Sequence, residues 1–178
     1  MPRRIYSPKE FEIQSLLFEH DRSLQGNERL LGINMVIEIK HAGEILAIIV
    51  QKDFTKPGIH FFTPGNFSQQ LGYLSHPAGK IIQPHVHNHV VREVKQTLEV
   101  LFIKSGKVRV DFYSNEQEYL ESTVLGAGDV ILLASGGHGF EVLEPTEMIE
   151  VKQGPYAGEM DKTRFTPALN PKLEITVK

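Results

Sequence analysis

Three histidines at alternate positions, His85, His87 and His89, are followed by Glu99 and then, behind a Gly-Asp turn, by His138. Alternate residues of a strand share a face, so His85 and His87 can offer two imidazole nitrogens to one cation. Glu99 and His138 would complete a donor set of three imidazoles and one carboxylate. Such a set suits one divalent transition metal, whether Fe, Mn, Ni, Co, Cu or Zn, because ligand type alone does not choose among first-row metals. Four protein ligands on an ion that accepts five or six leave one or two positions for water, substrate or O₂. A Lewis-acid centre there would polarise a carbonyl or hydroxyl and suit isomerisation, epimerisation, lyase chemistry or hydrolysis. Redox iron would instead suit a dioxygenase. The chain has no cysteine, which excludes disulfides and thiolate zinc modules.

The order and spacing resemble those of the cupin superfamily. Its first motif reads glycine, five residues, His-x-His, a short gap, glutamate, six residues, glycine. Here Gly79 precedes KIIQP and His85-Val-His87, and Glu99 precedes VLFIKS and Gly106. In the second motif Gly128-Asp129 leads through VILLASGG to His138, with Ala134 in place of a proline and Val142 in place of an asparagine. The resemblance covers roughly residues 70 to 152 and implies His85, His87, Glu99 and His138 as metal ligands.

Eleven residues separate His87 from Glu99, where the family has three or four. An alternative register takes His87, His89 and Glu93, but Val100 then stands where the glycine should be. Glu99 begins the apolar run LEVLFI, which reads as a strand ending in a turn at Ser105-Gly106, whereas Glu93 lies in the polar stretch from Arg92 to Thr97. Glu99 is therefore the expected ligand, and the polar stretch is a loop over one mouth of the barrel, with His89 and Glu93 at its rim. His89 and Tyr113 are the candidate acid/base residues, with Glu150, Lys152 and Tyr156 behind them. Glu150 and Lys152 share a strand face and are expected to pair with each other.

The elements that must position these side chains read as short strands between Gly/Pro turns. NMVIEIKHAGEILAIIVQ is a hairpin turning at Gly43, and a short strand lies between Gln70 and Ser75. KVRVDFY alternates as a half-buried strand, and VILLA follows a tight turn at Gly126-Ala127-Gly128-Asp129. GFEVLEP and MIEVKQG read as two strands around Pro145-Thr146. The expected fold is all-β, a cupin-type jelly-roll β-barrel with a short N-terminal helix or arm. Residues 1–33 form that extension, residues 34–153 the barrel, and residues 154–178 a tail whose LEITVK can add an edge strand. Ser7-Pro8-Lys9-Glu10 has the pattern of a helix start.

At 178 residues the chain is long enough for one well-buried domain. A net charge of −3 with no basic cluster argues against nucleic-acid binding, and no apolar run is long enough to span a bilayer. A cytoplasmic protein is expected. Both faces of LEVLFI are apolar: one would face the cavity, and the other would pack on a second sheet, the N-terminal segment or a partner. Cupins commonly pair sheet to sheet, so a homodimer is expected.

The fold alone names no activity. A small single barrel with an extended loop and EVKQGPY after the second motif resembles cupins associated with bacterial surface-polysaccharide synthesis. That resemblance implies a metal-dependent isomerase or epimerase acting on a small molecule, a sugar or nucleotide sugar. A non-haem iron dioxygenase and a non-enzymatic ligand-binding or sensing module are the alternatives.

Overall fold

A computed structural model describes residues 35–167. The expected N-terminal helix or arm and the LEITVK edge strand lie outside the described residues. Eight strands are formed: β1 (Val36–His41), β2 (Glu44–Val50), β3 (Gly58–Phe61), β4 (Gly72–Ser75), β5 (Glu99–Tyr113), β6 (Tyr119–Gly126), β7 (Val130–Leu133) and β8 (Gly137–Lys152). A short 3₁₀ helix, Gly158–Asp161, follows. The fold is all-β, and no helix among the described residues is long and apolar enough to cross a membrane.

The main sheet is antiparallel and runs β1-β2-β7-β5-β6, with β8 along the other edge of β5, and it curls into a half-barrel. β3 and β4 form a separate two-stranded ribbon. In β2, Leu46 to Val50 are all buried, because this strand lies between β1 and β7 with both faces covered. Alternate residues feed two clusters. Ala47, Ile49, Leu101, Ile131 and Leu133 join Phe112 on one side, while Ile48, Leu98 and Leu132 pack on the other with Phe62, Phe67 and Leu71. β8 completes the sheet but leaves an apolar stretch open to solvent: Phe102, Ile149 and Val151 are 40%, 55% and 55% exposed.

β5 does not end at Ser105-Gly106 as its sequence suggests. The strand continues through Gly106, which sits at φ +80° inside an irregular stretch where the β5–β8 register shifts three times. Before this bulge the odd residues Leu101 and Ile103 enter the core, and after it the even residues Val108, Val110 and Phe112 do. The extra residue of a bulge changes strand parity and sharpens the local twist, so one long strand lines the core along both halves of a bend. β8 likewise runs unbroken past Pro145 and Thr146, where two strands were expected. Its bend is tied to β5 by Thr146 Oγ1, which accepts from the Lys107 amide at 3.0 Å.

Candidate functional site

Glu99 opens β5 and His138 stands near the start of β8, 39 residues later. Along the β5–β8 ribbon they belong to opposite ends, since Glu99 pairs with Lys152 and His138 pairs with Phe112. A flat ribbon would hold Glu99 and Phe112 about 40 Å apart at the usual strand rise. The curl of the sheet closes that distance. β7 completes the route: Leu133 pairs with Glu99, and the link through Gly136-Gly137 returns the chain to His138. Gly136 has φ +68°, and a Cβ there would crowd the Tyr113 carbonyl oxygen and the Leu46 side chain.

The result is a contact of 3.3 Å between His138 Nε2 and Glu99 Oε2, while Lys152 Nζ lies 3.1 Å from the other carboxylate oxygen. The Glu99 side chain is only 13% exposed. The hydrogen bond from His138 outweighs the cost of burial and, with that from Lys152, holds the Glu99 carboxyl down at about 2. The bond to Glu99 in turn raises Lys152, despite its partial desolvation. Lys152 therefore pairs across the strands with Glu99, and not along its own strand with Glu150. Its ammonium also lies 3.8 Å from Asp161.

These groups line a cavity of about 860 Å³ together with Tyr113 and the stretch from Met160 to Phe165. Phe165 packs edge-on against Tyr113, with ring centroids 5.2 Å apart. Asp161 and Phe165 thus attach the segment after β8 to the cavity wall. The sequence of that segment reads as a tail, since nothing in its pattern signals contact with the barrel.

Tyr113 is supported from below by a polar network. Asp111 accepts two bonds from Arg109, at 2.8 and 3.0 Å, and one from the fully buried Ser122 hydroxyl. Ser122 also bonds the Tyr119 hydroxyl at 2.8 Å, and the Tyr119 ring packs on Tyr113. Burial pushes the Tyr113 hydroxyl up and keeps it protonated at neutral pH. For Asp111, burial works against ionisation, but the bonds from Arg109 and Ser122 prevail and lower it. Asp111→Ala is expected to cost about 1–3 kcal/mol, the penalty for leaving buried partners unsatisfied. The folded carboxyl titrates below the unfolded one, so its contribution is complete above the ordinary carboxylate range and fades as pH falls through the lowered folded value. Urea midpoints of wild type and Asp111→Ala, compared from neutral to acid pH, should therefore converge at the acid end.

The expected metal ligands fall into two pairs. Glu99 and His138 meet on the cavity wall. His85 and His87 stand side by side, with ring centroids 5.2 Å apart, in an exposed segment without regular structure. His85 Nδ1 donates to the Gln83 carbonyl at 3.1 Å, which leaves Nε2 as its free donor atom. His89 and Glu93 are exposed in the same segment, and Glu93 pairs with Lys95 at 3.4 Å. Lys95, Gln96 and Thr97, at the end of that segment, reach the cavity. Among the described residues no three such donors converge as a group able to hold a metal ion. Imidazole and carboxylate are donors that a divalent transition metal accepts, but His85 and His87 are not among the residues lining the cavity that Glu99 and His138 share. The segment carrying the second pair also exposes apolar side chains, Ile81 at 79%, Val86 at 87% and Val91 at 101%.

No protein-family model matches this chain, and no match was found among curated proteins or among solved structures.

Proposed function

We propose that this protein is a metal-binding cupin, a metal-dependent enzyme that isomerises or epimerises a small polar molecule such as a sugar or nucleotide sugar in polysaccharide biosynthesis. The observation that carries this reading is the meeting of Glu99 and His138, 39 residues apart in sequence, on the wall of a cavity inside a half-barrel compatible with a jelly roll. Glu99, His138, His85 and His87 would hold the metal. When bound, it supplies a Lewis acid that polarises a substrate oxygen. The chain's own residues do the rest. Tyr113, protonated on the cavity wall, offers a proton to a bound molecule, and the network through Tyr119, Ser122 and Asp111 fixes its ring. Leu133 and Phe165 supply apolar lining to the same cavity. His89 is the second acid/base candidate.

The test is metal content per chain, by elemental analysis of protein purified without an affinity tag, with electron paramagnetic resonance under nitric oxide. Manganese, nickel, cobalt or zinc near one equivalent is the expected result. Stoichiometric iron that binds nitric oxide would redirect the assignment to a dioxygenase. A site that stays empty after incubation with each metal would leave a ligand-binding module.

A further inference from the structure

The charge of the cavity does not follow that of the chain. The whole sequence carries −3, yet the cavity is lined by four cations, Lys95, Lys152, Lys162 and Arg164, against two carboxylates, Glu99 and Asp161. Both carboxylates are engaged by Lys152, the innermost cation. The other three cations are left for the mouth. Among the described residues Lys95 and Arg164 have only the exposed partners Glu93 and Glu159, whose carboxylates lie outside the cavity lining. Exposed pairs of that kind are weak, because solvent screens them, and yield readily to a better anion. Lys162 has no carboxylate within ion-pair distance among the described residues.

The three cations approach from two separate segments, Lys95 from the loop before β5 and Lys162 and Arg164 from the segment after the 3₁₀ helix. That second segment is held against the wall by Phe165 on Tyr113 and by Asp161 near Lys152. Lys162 and Arg164 flank these anchors in sequence and line the same cavity as Glu99 and His138. A low-dielectric concavity with excess charge of one sign concentrates the field on an oppositely charged ligand.

We infer that the ligand of this cavity is an anionic small molecule, whose phosphate or carboxylate is bound at the mouth by Lys95, Lys162 and Arg164 while its polar body extends toward Glu99 and His138. This deepens the reading of the cavity as a substrate site and rests on it. Arg164 supplies a planar fork for two oxygens of such a group, and the lysines supply point charges.

The test titrates the purified full chain calorimetrically with glucose, glucose 6-phosphate and glucuronate, with and without prior metal removal by a chelator. Either anion should bind at least about tenfold more tightly than glucose, the effect of one good charge-assisted bond. The tighter of the two identifies phosphate or carboxylate as the group recognised. In the double variant Lys162→Gln/Arg164→Gln that preference should fall about tenfold, with thermal stability unchanged because both side chains are exposed. The preference should also survive metal removal. An anion preference that persists in the double variant but vanishes with the metal would place the anion on the metal and overturn the inference. Equal binding of all three sugars, or none, would overturn it too. A chain that takes up no metal yet keeps the preference would defeat the metal assignment alone.

Discussion

As variants of the proposed metal site, His138→Ala and Glu99→Ala are each expected to abolish metal uptake while leaving the protein folded. Losing even an outer-shell partner of a metal ligand typically costs about 10–100-fold in affinity, so loss of a ligand itself should exceed that range. Metal per chain after dialysis should drop to background in both variants, and in His85→Ala and His87→Ala as well. Folding should persist because Glu99, deprived of His138, retains Lys152 at 3.1 Å, and His138 lies on a strand held along its length by β5. Circular dichroism melts on the same samples check this. His89→Ala and Glu93→Ala should keep their metal. Retention in Glu99→Ala combined with loss in Glu93→Ala would mean that the carboxylate ligand comes from the loop and not from β5.

Gly106→Val should destabilise the half-barrel more than any surface change. Gly106 holds φ +80°, and a Cβ there would run into the carbonyl oxygen of Pro145 and the hydroxyl of Thr146. The left-handed conformation costs a branched residue about 1–2 kcal/mol. Forcing atoms into a closed crossing adds about 1–3 kcal/mol. Together these should lower the melting temperature by about 10 °C, at about 2–4 °C per kcal/mol for a chain of this size. Gly106→Asn tolerates the backbone angle but not the contact, so it should lose an intermediate amount. A shift of less than about 2 °C for Gly106→Val would show that the β5 bend relaxes freely and does not constrain the half-barrel. If the bend also sets the distance between Glu99 and His138, metal affinity should fall in step with stability across the two variants.

Much of the architecture was legible in the residues. The hairpin turning at Gly43, the strand ending at Ser75, the alternation of KVRVDFY and the turn from Gly126 to Asp129 all follow from local pattern, because alternation and turn chemistry act over a few neighbours. The ends of β5 and β8 were not legible. Ser105-Gly106 and Pro145-Thr146 each read as a break, and each is instead a bend in a continuous strand. The two irregularities lie opposite one another, so each accommodates the other, and no single-strand pattern reports that match.

The same division holds at the site. From composition and spacing came the candidate donors, the absence of thiolate chemistry and the preference for Glu99 over Glu93. The tertiary structure decided that Glu99 and His138 touch, that Lys152 pairs with Glu99 in place of Glu150, and that the segment after Lys152 carries cavity cations. Residue types and short-range periodicity encode which groups are available and which way a strand faces. Which of those groups meet depends on how a ribbon of fifteen residues bends on itself, a collective outcome of core packing on both sides of Gly106.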